Sequence, residues 1–186
     1  EVKVLGAAGG EVTGSAYLIK TNKATVLVDA GMFQGGKESE AKNKLPEGAT
    51  PSRIDALLLT HGHLDHTGRV PLLIKYGFNS PIYSTEETLK LAQIILQDSA
   101  RLQVADAMRK NRKQWKEGAP IAEPLYNTEH VEYMAELGRA VEYNTPIEVA
   151  EGITAKWIEA GHMLGSGSIE VKVTENNETK TIVFSG

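Results

Sequence analysis

The most informative stretch of this sequence is Thr60-His61-Gly62-His63-Leu64-Asp65-His66, which directly follows the largely apolar run Ile54–Leu59. The stretch holds three of the chain's five histidines together with one carboxylate. A short apolar run of this kind is typical of a strand that is buried on both faces. The sequence therefore predicts a cluster of metal-binding side chains at the end of a buried strand.

The spacing of these side chains favours a metal site over a surface loop that is merely rich in histidine. His61 and His63 are two residues apart, so in an extended segment they project to the same side and can share one metal ion. Asp65 and His66 follow where the chain turns towards the next helix, so they can face a second position a few ångströms away. Imidazole and carboxylate donors suit zinc, with manganese or iron as competitors.

Composition excludes several other classes of site. The chain has 186 residues, of which 41% are hydrophobic, enough for one sizeable core. A formal charge of −4 excludes a polycation that binds nucleic acid by charge alone. Cysteine is absent, which excludes disulfides, a thiolate nucleophile and cysteine-ligated zinc. No apolar stretch approaches about 18 residues and no signal peptide is evident, so we expect a soluble cytoplasmic protein without a membrane partner.

The elements alternate along the chain in a way that predicts a layered α/β fold. Strands are predicted at Val2–Ala7, Ser15–Lys20, Thr25–Val28, Ile54–Leu59, Ile82-Tyr83, Ile147–Val149, Ile153–Glu159, Ser168–Thr174 and Thr179–Phe184. Helices are predicted at Arg69–Tyr76, from a capping box that begins at Ser84 to a basic end at Arg109–Lys116, and from a cap at Thr128 to Leu137. Residues 33–50 are predicted to be mostly loop, and Glu175-Asn176-Asn177-Glu178 is predicted to be a hairpin turn.

Further motifs on either side of the histidine cluster identify a resemblance to a known family. The pattern His-x-His-x-Asp-His after a strand is the defining motif of the metallo-β-lactamase superfamily. The flanking segments resemble the β-CASP nucleases, the RNA-processing branch of that superfamily, over essentially the whole chain. These segments are Leu5–Ser15, Val28–Gly35, Ala160–Ser166 and Val183–Gly186.

This resemblance implies the fold and the ligands of a two-zinc site. The implied fold is the αββα sandwich of the superfamily. The implied protein ligands are His61, His63 and His162 for the first zinc, and Asp65 and His66 for the second. Asp29, in the turn after a strand, is implied to orient one of these ligands, as metal-bound imidazoles usually require.

The implied activity is zinc-dependent hydrolysis of phosphodiester bonds in RNA, with Asp65 and His66 as catalytic residues. Two rival functions remain open. One is hydrolysis of a thioester or a lactam by the same metals, and the other is a non-catalytic subunit of a nuclease complex. The Gly10–Ser15 segment argues against the first rival. The second is disfavoured because each ligand position within the chain is filled.

The family pattern also predicts that this chain is incomplete. The fourth motif of the family is Ser-Gly-Asp, and the sequence ends at Gly186, one residue before that aspartate. Residues 1–186 are therefore expected to be the N-terminal portion of the lactamase-like domain, roughly its first half, without the β-CASP insertion. We expect two zinc ions and a homo-oligomer in the full-length protein. The fragment is expected to hold one zinc ion or none and to be inactive.

Two other features carry further expectations. Arg109, Lys110, Arg112 and Lys113 are candidate nucleic-acid contacts, with Trp115 available for stacking on a base. A solvated helix surface is the favoured interpretation of this basic run. His130 lies at the start of a predicted helix and is expected to be a surface or capping residue.

Overall fold

The computed structural model describes residues 1–114 and 121–186, which form two β-sheets and a set of helices. The first sheet contains six strands whose order in space follows their order in the chain. The first two pairings are antiparallel and the next three are parallel. The strands are β1 (Val2–Val4), β2 (Tyr17–Lys20), β3 (Thr25–Val28), β4 (Ala56–Leu58), β5 (Ile82–Ser84) and β6 (Gly138–Ala140).

The middle of this sheet is buried on both faces. Leu27 and Leu57 belong to the core on one face. Val26 and Val28, on either side of Leu27, belong to the core on the other face, together with Leu58. Because side chains alternate along a strand, both sets must be apolar, which gives these strands their continuous apolar sequence. The prediction of a strand buried on both faces before the histidine cluster is confirmed.

Helices cover one face of the first sheet. The main ones are α3 (Val70–Lys75), α4 (Glu86–Gln114) and α5 (Thr128–Leu137), preceded in the chain by the short α1 (Lys37–Ala41) and α2 (Leu64–Thr67). Leu73, Leu96 and Met134 bring the three main helices into one core with the sheet. Among the helices that the structure describes, none is both long and apolar enough to cross a membrane.

The second sheet packs on the opposite face of the first. Its four antiparallel strands are β7 (Ile147–Ala150), β8 (Ile153–Glu159), β9 (Gly167–Glu175) and β10 (Glu178–Phe184), in the order β10-β9-β8-β7. Trp157, Ile169 and Val171 point into the core between the two sheets and are fully buried. The outward face is polar, with Glu170 lying 3.0 Å from Lys156. This arrangement of helices, sheet and sheet is the predicted incomplete αββα sandwich.

The connection between β9 and β10 shows how a short sequence signal sets a local structure. Asn176 and Asn177 both have positive φ angles, 52° and 64°. Two consecutive residues with positive φ are what a tight hairpin turn requires, and asparagine tolerates this conformation well. The predicted hairpin at these residues is confirmed.

The start of α4 differs from the prediction by one residue. The sequence pattern gave Ser84 as the first residue of a capping box, and this is wrong. Thr85 caps the helix by accepting a hydrogen bond from the Thr88 backbone amide at 3.3 Å. The Ser84 hydroxyl instead donates to the Leu59 carbonyl at 2.8 Å, because Ser84 is still part of β5. At α5, similarly, Asn127 and not Thr128 is the capping residue.

Among the elements that were not predicted are one strand and one helical turn. Residues Gly138–Ala140 form β6 by pairing in parallel with β5, although glycine, arginine and alanine give no strand signal. Lys37–Ala41 forms one helical turn inside the predicted loop. Both elements depend on backbone geometry, which the periodicity of side chains along the sequence does not reveal.

Candidate metal centre

The candidate site lies at the edge of the first sheet where its parallel strands end. Asp29 directly follows β3, and Thr60 and His61 lie just beyond β4. Since the carboxyl ends of neighbouring parallel strands meet at one edge, residues far apart in the chain come together there. The second sheet reaches the same edge, where the Gly167 amide donates to the Thr60 carbonyl at 2.8 Å. The Trp157 indole also donates to the Leu59 carbonyl, at 3.0 Å.

Three histidines converge at this edge. Each of His61, His63 and His162 offers a ring nitrogen that lies within 4.8 Å of the other two. The His162 Nε2 atom is 3.2 Å from the His63 Nδ1 atom, although 99 residues separate them. His61 is 3% exposed and forms the floor of the cluster, whereas His63 and His162 are exposed. The structure thus brings together the three residues predicted for the first metal.

Asp65 and His66 lie beside this cluster on α2. The His66 ring centroid is 4.0 Å from that of His61. The Asp65 Oδ2 atom is 3.8 Å from His66 Nε2. The two residues predicted for the second metal are therefore adjacent to each other and to the three-histidine cluster.

Asp29 is the buried residue that joins these parts. It is 1% exposed and accepts three hydrogen bonds. Its Oδ1 atom accepts from the Thr60 amide at 2.9 Å, and its Oδ2 atom accepts from the Thr60 hydroxyl at 2.8 Å. The His66 Nδ1 atom lies 2.7 Å from the same Oδ2. A carboxylate only accepts, so His66 carries its proton on Nδ1 and its Nε2 atom is free for a metal when the ring is neutral.

The same network fixes the tautomer of His61 through Thr60. The Thr60 hydroxyl has one proton, which it donates to Asp29. Its 3.0 Å contact with His61 Nδ1 must therefore be a hydrogen bond that His61 donates. His61 is then protonated on Nδ1, and its Nε2 atom keeps the lone pair that a metal needs.

Burial and neighbouring charges shift the two inner histidines in opposite directions. Burial, helped by the nearby histidines, lowers the pKa of His61 to about 3. Burial also acts to lower the pKa of His66, but the hydrogen bond to Asp29 and the charges of Asp29 and Asp65 outweigh it, so this pKa is raised. A neutral His61 at neutral pH is the form that binds a metal ion.

Arg69 is a site-organising residue that the sequence analysis did not identify. It is 2% exposed, and its guanidinium donates to the carbonyls of Gly31, Gly14 and Lys44. Burial lowers the pKa of Arg69 to about 10. The only signal in the sequence was an arginine three residues after the histidine motif, next to an apolar helix. Its planar group joins three loops, one of which contains Gly31, where a side chain would overlap the Asp65 carbonyl.

The basic run is not part of this centre. Arg109, Lys110 and Arg112 are exposed near the end of α4, and Arg109 pairs with Asp106 at 2.9 Å. The first turn of α4 lies beside the site, and Arg109 is 23 residues further along the helix. At 1.5 Å per residue this places the basic run about 35 Å away along the helix axis. The side chain of Lys113 and all of Trp115 lie outside the part of the chain that the structure describes.

His130 is also not part of the candidate metal centre. Its Nδ1 atom accepts from the Asn127 backbone amide at 3.2 Å, while the Asn127 side chain accepts from the His130 amide at 3.3 Å. The two residues form a reciprocal capping box at the start of α5. His130 is therefore a capping residue, as expected.

The donor set fits a metal ion. Three imidazoles that converge from two loops are a donor set that catalytic zinc sites use. The inner histidine is held in the tautomer that leaves a lone pair on Nε2. Its depressed pKa keeps it unprotonated, so a cation binding at this cluster would not have to displace a proton from it.

Comparison with known proteins agrees with the fold. The Metallo-beta-lactamase superfamily profile matches residues 9–186. Ribonuclease TTHA0252 of Thermus thermophilus is 37% identical over 179 residues, which are 96% of this chain and 36% of that protein. Transcription termination factor FttA of Cenarchaeum symbiosum is 31% identical over 95% of this chain and 25% of its own length. The chain thus spans about a third of the ribonuclease and a quarter of the termination factor.

A solved structure supports the same fold. The metallo-beta-lactamase fold protein YhfI from Bacillus subtilis superposes with a TM-score of 0.56 at 18% identity, over 100% of this chain and 61% of that one. The names of the sequence relatives agree with the RNA-processing branch that the motifs resemble. By its sequence, its layers and the position of its histidine cluster, this chain belongs to the metallo-beta-lactamase superfamily.

Proposed function

We propose that this chain is the metal-binding portion of a zinc-dependent hydrolase that cleaves phosphodiester bonds in RNA. The observation that carries the proposal is the convergence of His61, His63 and His162 at the end of β4. Relatives named as a ribonuclease and as a transcription termination factor support RNA as the substrate class. Because the chain spans about a third of the ribonuclease, the activity is proposed for the full-length protein.

In this proposal each residue of the site has a definite role. His61, His63 and His162 hold the first zinc ion, and Asp65 with His66 contributes to a second. Bound zinc would lower the pKa of a water molecule and neutralise negative charge on the phosphate. Further ligands for the second ion would come from outside this chain, so residues 1–186 alone are proposed to retain one zinc ion at most.

Side chains of the protein orient the metal ligands and can take up a proton during the reaction. Asp29 holds His66 by accepting a hydrogen bond from the His66 Nδ1 atom. Through Thr60, Asp29 also holds His61 in the tautomer that leaves the His61 Nε2 atom free. Asp65, half-buried beside His66, can accept a proton from water or hold the attacking hydroxide in line with the phosphorus. These groups are fixed before substrate arrives, so little reorganisation is required during the reaction.

A substrate comparison tests this function. The full-length protein is incubated with a labelled RNA, a thioester and a β-lactam, each with and without a chelator. Of the three substrates, we expect only the RNA to be cleaved, and we expect the chelator to stop this cleavage. His63→Ala should abolish this cleavage and reduce zinc content, whereas the matched control His130→Ala should preserve both, because His130 only caps α5.

Other outcomes separate the rival functions. Turnover of the thioester or the lactam in preference to RNA would assign the site to a different hydrolase of the superfamily. Zinc binding without turnover of any of the three substrates would indicate a non-catalytic subunit. Either result would overturn the proposal.

A further inference from the structure

The loop that carries His162 is attached to α4 by an unusual pair of hydrogen bonds. The carbonyl of Gly165 accepts from the hydroxyls of both Thr85 and Thr88, at 2.7 and 2.8 Å. Thr85 caps α4 and Thr88 lies in its first turn, and the two are 2% and 0% exposed. Buried carbonyls need partners, and this one has two donors from the same helix turn.

The loop that carries His162 lies so close to α4 that there is no room for a side chain at position 165. Gly165 has a φ angle of +80°, and a Cβ atom there would lie 2.7 Å from the Thr88 amide nitrogen and the Glu87 Cβ atom. Only glycine fits at this point. The loop is therefore in direct backbone contact with the start of α4.

A rigid turn connects Gly165 to His162. The Ser166 hydroxyl accepts from the backbone amides of His162 and Met163, at 3.2 and 3.1 Å. The Ser166 amide in turn donates to the Met163 carbonyl at 3.0 Å. A displacement of Gly165 would therefore move His162 with it.

The ring of His162 lacks the side-chain support that the two inner histidines, His61 and His66, receive. The ring of His61 is oriented by Thr60, and that of His66 by Asp29. For the exposed ring of His162, the hydrogen bonds found among residues 1–114 and 121–186 include only its contact with His63. Its position must therefore be set by its backbone.

We propose that Thr85 and Thr88 are positioning residues for His162. By holding the Gly165 carbonyl, their hydroxyls set the distance between His162 and the His61–His63 pair, and so set the affinity of the three-histidine site for a metal ion. This inference rests on the proposed metal-binding function of the site. It assigns a functional role to the start of α4, for which the sequence analysis predicted only a helix cap.

Cobalt titration of the full-length protein, stripped of metal, tests this inference. Co²⁺ replaces zinc in nitrogen and oxygen sites, and its visible absorption reports both affinity and the number of ligands. We expect Thr85→Ala/Thr88→Val to bind Co²⁺ about 10- to 100-fold more weakly than the wild type, the range seen when residues that orient metal ligands are removed. Its absorption should also change, because His162 no longer holds its place. Thr85→Ser/Thr88→Ser keeps both hydroxyls and should restore wild-type binding.

A matched control and a milder variant keep the test decisive. Thr174 and Thr179 form a hydroxyl pair at 2.9 Å on the exposed β9–β10 hairpin, so Thr174→Ala/Thr179→Ala should bind Co²⁺ like the wild type. Since Thr85 also caps α4, the single variant Thr88→Val is included. It keeps the shape of the side chain and the cap, and should bind Co²⁺ several-fold more weakly with an unchanged circular dichroism spectrum.

The possible failures are distinguishable. If the wild type binds Co²⁺ and both hydroxyl-deleted variants bind it equally well, the positioning role is wrong while the metal site stands. If the wild type binds no Co²⁺, the proposed function itself fails and this inference fails with it.

Discussion

Replacing Asp29 by asparagine is the most informative single change, because one buried carboxylate serves both inner histidines. Asp29 is 1% exposed and accepts from the Thr60 amide, the Thr60 hydroxyl and His66 Nδ1. Asparagine has nearly the same shape, and it tolerates the positive φ of 55° at this position. Asp29→Asn therefore tests the charge and the accepting capacity of the side chain, with little change in packing.

The expected cost follows from the number of donors that face this side chain. An asparagine has one accepting oxygen, so its amide group must oppose either the Thr60 amide or the pair formed by the Thr60 hydroxyl and His66. If the amide group faces the Thr60 backbone amide, a donor–donor contact replaces a hydrogen bond to a charged group. If it faces the other pair, the Thr60 hydroxyl and His66 Nδ1 must change from donating to accepting, which moves the His66 proton to Nε2. We expect the free energy of unfolding to fall by about 3 kcal/mol. The protein should still fold, since the free energy of unfolding of a typical domain is about 5–15 kcal/mol.

Two assays check this expectation. In urea, with a slope of about 2 kcal/mol/M, the unfolding midpoint should fall by roughly 1.5 M. Zinc affinity should fall by about 10- to 100-fold, because Asp29 orients ligands that it does not itself contribute. Asp55→Asn is the control, since Asp55 is exposed and accepts one backbone hydrogen bond, from Thr25. A loss of less than about 1 kcal/mol with unchanged zinc affinity would refute the assigned role of Asp29.

Three further outcomes are expected. Arg69→Lys should lower the free energy of unfolding, measured in urea, by about 2–4 kcal/mol, because a lysine cannot replace three directed hydrogen bonds to carbonyls. An unchanged midpoint of urea unfolding would contradict this. His130→Ala should cost about 1 kcal/mol through the lost capping interaction, with zinc content measured by mass spectrometry unchanged. In metal-free protein, the folded pKa of His61 near 3 lies below its unfolded value near 6.5, so the unfolded state takes up the proton more readily. The wild type should therefore lose thermal stability relative to His61→Gln as the pH falls from 6.5 towards 3. If the melting temperatures of the two proteins change with pH in the same way, His61 is not a buried neutral histidine.

The stretch Thr60–His66 allowed the local part of the site to be predicted. Residues two apart in an extended segment, followed by a turn, have few ways to arrange themselves, so His61, His63 and their neighbours could be placed near one another without a structure. The apolar strand before them was equally informative, because burial on both faces leaves no polar position in its central residues. The β9–β10 hairpin followed from the preference of asparagine for positive φ.

Long-range contacts limited the rest of the prediction. His162 could be assigned to the site only through resemblance to a family, since nothing local to it indicates that it meets His63 across 99 residues. Neither the position of Arg69 after the histidine motif nor the predicted capping box around Thr85 indicated the contacts that these residues make. Their partners are backbone carbonyls of distant loops, and a carbonyl is the same in every residue.

The sequence by itself determined which side chains are available to hold a metal and which strand they follow, because those properties depend on residue type and on spacings of a few residues. The tertiary structure decided how the ligands are oriented and held. It placed the Asp29 carboxylate under Thr60 and His66, and it seated the Gly165 loop on the first turn of α4. These contacts depend on the meeting of parallel strand ends and on the packing of two sheets, which join residues that no local pattern connects.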